Sequence, residues 1–220
     1  MISNRQNYQE ELKQLRNYIL EMATKVEEDL NKALIAFREG DVELAKEVKK
    51  DSGKIDIMQN IIEDETSIIL ATQQPVAGDL REMVTIFKLV NNLERIGDHA
   101  VHLAKTVKKL RGEPAFRSML HIEKMAETGI EMLRVCIEAY MNHDIDAARK
   151  AAAMDDIIDS EHKALIDEVL HLMKKHSELV KKAHRLIITS NNLERLGDHV
   201  TNICEGIIYM IKGTHEELND

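Results

Sequence analysis

The ten residues NNLERIGDHA at 91–100 recur as NNLERLGDHV at 191–200, differing only at Ile96/Leu196 and Ala100/Val200. No other feature limits the fold so strongly, because a near-identical segment 100 positions away implies two copies of one unit in the flanking chain. The copies can be followed outward. Shifted by 103, Met22-Ala23 meets Met125-Ala126, Phe37 meets Tyr140, Asp41 meets Asp144, Ala45 meets Ala148 and Ile55-Asp56 meets Ile158-Asp159. The shift becomes 100 at the decamers, because the second unit has three fewer residues before its last helix. Elsewhere the halves have drifted: residues 22–48 and 125–151 share 7 of 27 positions, against 8 of 10 in the decamers. Packing tolerates that drift, so the decamer answers to a further constraint.

Each unit reads as three helices. The only prolines, Pro75 in TQQPVAGD and Pro114 in RGEPAF, break helical patterns and mark loops. Asp41 after Gly40, and Asp144 after His143, are placed as N-caps, Asp79 with Glu82 has capping-box spacing, and Ser177 before Glu178 can start a helix. Six helices are expected, over roughly 5–39, 41–72, 79–110, 115–142, 144–175 and 177–212. The fold class is therefore all-α, two pseudo-symmetric three-helix bundles spanning 1–112 and 113–220. Composition agrees: 44% hydrophobic and 31% charged residues, no tryptophan and three phenylalanines are the profile of a helical protein.

A net charge of −9 with no dense Lys/Arg run argues against nucleic-acid partners, which need a basic surface to release counterions. No signal-peptide-like apolar region opens the chain, and no apolar run reaches the ~18–20 residues of a membrane span, so a cytoplasmic protein is expected. Cys136 and Cys204 lack a C-x-x-C partner and read as reduced, buried thiols.

On a helix, Ile86, Leu89, Leu93, Ile96, Ala100, Leu103 and Val107 form a seam at spacings of three and four, and Leu186, Thr189, Leu193, Leu196, Val200, Ile203 and Ile207 repeat it. At about 100° per residue, Asn91, Glu94 and Asp98 gather away from that seam, as do Asn191, Glu194 and Asp198. Ordinary solvated acids, with Arg95 and Arg195 pairing at i,i+3 for ~0.2–0.5 kcal/mol, would be the default for one copy. Besides the recurrence of the whole pattern, two observations oppose it. Val84, Phe87 and Val101 share the acids' side, so that face is partly covered; and Gly97 and Gly197 sit inside helices at a cost of ~0.8–1 kcal/mol, which implies close approach by a backbone or ligand. Carboxylates one turn apart and partly buried repel unless a cation compensates, and hard cations take carboxylate oxygens. Asp155, Asp159 and His162 lie on one face of the fifth helix and extend the donor set; the first-half counterparts are Ser52, Asp56 and Gln59. The expected cofactor is iron or another divalent or trivalent metal, with zinc, manganese or magnesium as substitutes. His99 and His199 read as core or salt-bridged histidines. Glu168 and His171 form one E-x-x-H, whereas a di-iron carboxylate enzyme, the alternative reading, needs two on facing helices.

The twin E-R-[IL]-G-D motifs, and Gln74, Pro75, Ala77, Asp79, Leu80 and Arg81 of a Q-P-x-A-x-D-L-R stretch found in the first half only, resemble the PhoU family of phosphate-transport accessory and regulatory proteins. The resemblance covers essentially the whole chain. It implies an all-helical, pseudo-symmetric, homodimeric protein, cytoplasmic or peripheral to the membrane. It also implies metal clusters on Glu/Asp-x-x-x-Asp motifs, here Glu94/Asp98, Glu194/Asp198 and Asp155/Asp159. In the first half Ser52 stands before Asp56 where an acid is expected, with Asp51 adjacent. The implied function is non-enzymatic: repression of phosphate-starvation signalling, as an adaptor between the ATPase subunit of the phosphate ABC transporter and a sensor histidine kinase.

Overall fold

A computed structural model describes residues 2–110 and 120–218, with side chains from Asn7 onward. Seven α-helices and no strand occur among the described residues: α1 (Ile2–Glu39), α2 (Val42–Gln73), α3 (Gly78–Lys109), α4 (Leu120–Asn142), α5 (Ile145–Ala152), α6 (Asp155–Lys175) and α7 (Val180–Lys212), with a 3-10 turn, Ser177–Leu179, before the last. The loop around Pro114 and the expected start of the fourth helix near 115 fall outside the described residues.

The caps at Asp41 and Asp144 form as read. Asp41 Oδ1 accepts from the amides of Glu43 and Leu44 at 2.9 and 3.0 Å, and Asp144 Oδ1 from those of Asp146 and Ala147 at 3.0 Å each. Gly40 at φ 70° makes the left-handed turn before the first cap, and His143 adopts the same conformation at φ 54°.

Three expectations are corrected. Asp79 does not cap α3, which starts at Gly78 after Ala77 with no side-chain cap; Glu82 turns into the core, 5% exposed, to meet Arg16 from α1 in a two-bond ion pair at 2.8 and 3.0 Å. The segment 177–212 opens with the 3-10 turn, and its α-helix begins only at Val180. The fifth helix, 144–175, is two. Met154 N bonds Ala151 O at 3.1 Å and Ile157 N bonds Met154 O at 3.1 Å, three residues apart rather than four, so the chain tightens at Ala153–Met154 and restarts at Asp155. In the first unit α2 runs unbroken through the matching Lys50 and Asp51.

The seams hold throughout: none of their fourteen residues is more than 2% exposed. Phe37 and Tyr140, equivalent in the repeat, are both fully buried, as are Met22 and Met125. Removing either aromatic side chain would cost ~3–5 kcal/mol. One continuous core joins the units, centred on α3 and α7, which pack antiparallel. Thr85 Oγ1 donates to Gly206 O at 3.3 Å near one end of that pair, and the Thr106 and Thr189 hydroxyls meet at 2.9 Å toward the other.

Candidate functional site

The antiparallel crossing of α3 and α7 brings the two decamers face to face, which accounts for part of their identity. His99 is buried against His199, ring centres 5.5 Å apart. His199 Nδ1 donates to Asn92 Oδ1 at 2.9 Å. Asn92 and Asn192 each anchor their amide nitrogen to the carbonyl four residues back, at 2.8 and 2.7 Å, leaving Oδ1 turned outward. His99, symmetry-related to His199, is 5% exposed and makes no hydrogen bond of good geometry on either ring nitrogen, although Asn192 is close enough to favour its charged form. Burial, then the neighbouring His199 and His102, pull its pKa down to about 3, so it stays neutral. Both histidines are thus seam residues. The sequence signal was present, since Asn92, His99, Asn192 and His199 belong to the identical letters, but only the crossing shows their use.

The remaining identical letters make the acidic faces, and here the two halves differ. In the second unit the break before α6 sets Asp155, 7% exposed, directly against Gly197 of α7: a Cβ on Gly197 would stand 2.0 Å from Asp155 Oδ1. The close approach expected of this glycine is therefore made by a carboxylate side chain, not by backbone. Asp155 Oδ2 accepts from Thr201 Oγ1 at 3.3 Å, while Oδ1 is buried without a partner. Burial first, then the charges of Asp159, Asp198 and Glu194, push the Asp155 pKa up to about 7. Glu194 is raised by burial, Asp198 and Asp159, and Asp198 by burial and Asp159. Four carboxylates from two helices therefore share one field. His162, one turn beyond Asp159, places its Nδ1 2.5 Å from Ser190 Oγ. Thr201, which the sequence did not single out, is the residue that orients Asp155.

In the first unit Gly97 meets a hydrocarbon, the end of Ile55 at 2.7 Å from a notional Cβ. Ser52, in the place of Asp155, bonds back to Lys49 O at 3.1 Å. Asp51 does not substitute: it pairs with Lys25 at 3.0 Å and Lys54 at 2.7 Å, and those lysines, Lys54 foremost, hold its pKa down to about 2. Glu94 retains a side chain only 18% exposed and is raised by burial, Asp98 and Asp56, but Asp98 is half exposed. Arg95 lies 3.4 Å from Glu94 and 3.8 Å from Asp98. Asn91, Asn191 and Arg195 are exposed beside the acids.

Among the described residues no three His, Cys, Asp or Glu side chains already converge as a set that could hold a metal ion. The second unit nevertheless fits a hard cation as a donor set: all-oxygen ligands, a shared negative field, and an orphaned buried Oδ1 that nothing in the protein satisfies. The first unit, with Ser52 and a committed Asp51, fits less well. The other sequence candidates are structural. Glu168 Oε2 sits 3.3 Å from His121 at the surface, away from any facing E-x-x-H. Cys136 and Cys204 are both buried and free, yet not isolated: Cys136 faces Cys204, and burial foremost raises its thiol pKa.

Comparison with known proteins completes the picture. The PhoU domain matches residues 19–107 and 122–207. A phosphate-specific transport system accessory protein PhoU homolog of Clostridium acetobutylicum is 34% identical over 217 residues, covering 98% of this chain and 99% of that protein. The phosphate-specific transport system accessory protein PhoU of Escherichia coli K12 is 30% identical over 203 residues, covering 92% and 84%. Among solved structures, PhoU from Pseudomonas aeruginosa superposes with a TM-score of 0.89 at 32% identity, over 94% of this chain and all of that one. The phosphate transport system regulatory protein PhoU from Streptococcus pneumoniae does so at 0.89 and 29%, over 95% and 99%.

Proposed function

The chain belongs to the PhoU family, and from that premise we propose that it is an accessory protein of phosphate transport that represses phosphate-starvation signalling. It works as a cytoplasmic, non-enzymatic adaptor between the transporter's ATPase subunit and a sensor histidine kinase, as a homodimer. The observation that carries this reading is the match to phosphate-transport accessory proteins along 98% of the chain. The pseudo-twofold built on α3 and α7 supports it, since two related faces suit two partners. No helix among the described residues is long and apolar enough to cross a membrane, so contact with a transporter would be from outside the bilayer. Deleting the gene and measuring phosphate-regulon expression in phosphate-rich medium tests the proposal. Derepression is expected; repression persisting at the parental level overturns it.

The metal belongs to the same reading. Asp155, Asp159, Glu194 and Asp198 would hold a hard cation such as iron, which would neutralise their pooled charge and supply the missing partner of Asp155 Oδ1. Asp56, Glu94 and Asp98 of the first unit form an incomplete counterpart. No observation favours the di-iron enzyme: the one E-x-x-H is engaged at the surface.

A further inference from the structure

The sequence has no dense basic run, yet the fold assembles one. Three helix ends meet at one extremity of the second unit: the last turns of α3 with Lys105, Lys108 and Lys109, the last turn of α6 with Lys174 and Lys175, and the first turns of α7 with Lys181, Lys182 and Arg185. The three-residue turn joins α6 to α7, and the Thr106–Thr189 contact at 2.9 Å carries the end of α3 alongside the start of α7. Glu178 is the one carboxylate within the connecting turn. Eight cations thus gather on a protein whose net charge is −9.

Helix electrostatics explains only some of them. Lysines in a final turn complement the dipole, which accounts for the ends of α3 and α6. At the start of α7 the same rule works in reverse: Lys181 and Lys182 sit where positive charge is disfavoured, by ~0.3–1 kcal/mol each, and no acid occupies that first turn. The duplicated unit is an internal control. Its matching turn, between α2 and α3, carries a single cation from 71 to 85, Arg81 at the position of Lys181, with Asp79 in the first turn of α3 and Glu82 in the place of Lys182. Lys174, Lys175, Lys182 and Arg185 have no cationic counterpart in the first unit, where Ala71, Thr72, Glu82 and Thr85 stand, so most of the cluster lies outside the repeat's common plan.

We propose that this basic end docks on an anionic lipid surface. Seven of the eight cations are lysines, point charges on flexible stems, suited to a diffuse field of headgroups rather than to fixed bidentate pairing with a protein carboxylate. They are spread over an end built from helix termini, and Leu170 and Val180 stand exposed beside them, 46% and 38% accessible, as apolar contacts for the interface. The acidic remainder of the chain would be repelled by such a surface, which orients the molecule with this end leading.

The test is flotation of the full chain with vesicles of phosphatidylcholine alone, or of phosphatidylcholine with one third phosphatidylglycerol, at low and high salt. Binding to the anionic vesicles only, lost at high salt, is expected. The variant Lys174→Glu/Lys175→Glu/Lys181→Glu/Lys182→Glu should bind at least about 100-fold more weakly. The narrower Lys181→Glu variant places an acid where the α7 dipole favours it, so it keeps the fold; it should bind about 10-fold more weakly and melt no lower than the parent. Equal binding to neutral vesicles, no binding to either, or unchanged binding by a folded variant overturns the proposal. So does capture by immobilised polyglutamate with no vesicle binding, which would assign the end to an acidic protein instead.

Discussion

Replacing Asp155 by asparagine keeps shape and the contact with Thr201 while removing a charge that the apo fold holds at a cost. The carboxyl has a pKa of about 7 in the fold against 3.8 ordinarily, its Oδ1 is unpartnered, and the residue is 7% exposed. At ~1.4 kcal/mol per unit, the ionised side chain destabilises the folded state by about 4 kcal/mol above pH 8, and relaxation around the charge could halve that. The sign follows from the raised pKa: the fold binds the proton more tightly than the unfolded chain. The contribution of Asp155 to stability is therefore greatest below pH ~4, declines as pH rises through ~7 and is flat above it. In chelator, Asp155→Asn should be more stable than the parent at pH 8 by roughly 2–4 kcal/mol, which is on the order of 5–15 °C in Tm for a chain of this size. The gain should shrink below ~1 kcal/mol near pH 4. Far-UV circular dichroism melts of both proteins across that range measure it. A variant less stable than the parent at pH 8, or a gain that does not vary with pH, would refute the reasoning that Asp155 is a desolvated acid without a partner.

Other consequences are open to direct measurement. His99→Leu should change stability by less than ~1.5 kcal/mol at pH 7.5, because neither ring nitrogen makes a hydrogen bond of good geometry. With a folded pKa of about 3 against 6.5 ordinarily, His99 contributes stability above pH ~6.5 that is lost as pH falls toward ~3. Urea titrations at pH 4.5 should accordingly favour the variant by roughly 2–3 kcal/mol. His199→Ala leaves Asn92 Oδ1 without its donor and should cost about 1–3 kcal/mol in the same assay. Gly197→Ala drives a methyl into Asp155 Oδ1, whereas Gly97→Ala meets only the end of Ile55. Elemental analysis should show bound metal lost in the former and kept in the latter.

The fold was legible in the repeat. Seam spacing, the Asp41 and Asp144 caps and the two prolines place the helices, because periodicity and capping are local physics. The break at Ala153–Met154 was not legible, since no glycine or proline marks it and its visible consequence, Asp155 against Gly197, is tertiary. The site was half legible. The acids and mid-helix glycines signalled a covered acidic face, but three facts needed coordinates. Asp51 is held by Lys25 and Lys54, Thr201 orients Asp155, and His199 of one decamer bonds Asn92 of the other across the pseudo-twofold. Composition likewise hid the basic end, whose lysines are distant in sequence and adjacent only through the packing of α3, α6 and α7.

The most direct test of the account is metal content after iron loading and desalting, comparing the parent with Glu94→Ala/Asp98→Ala and Glu194→Ala/Asp198→Ala. If the second unit alone is complete, the variant at 194 and 198 loses its metal while the variant at 94 and 98 retains the parental amount. Equal loss in both, or full retention in both, contradicts it.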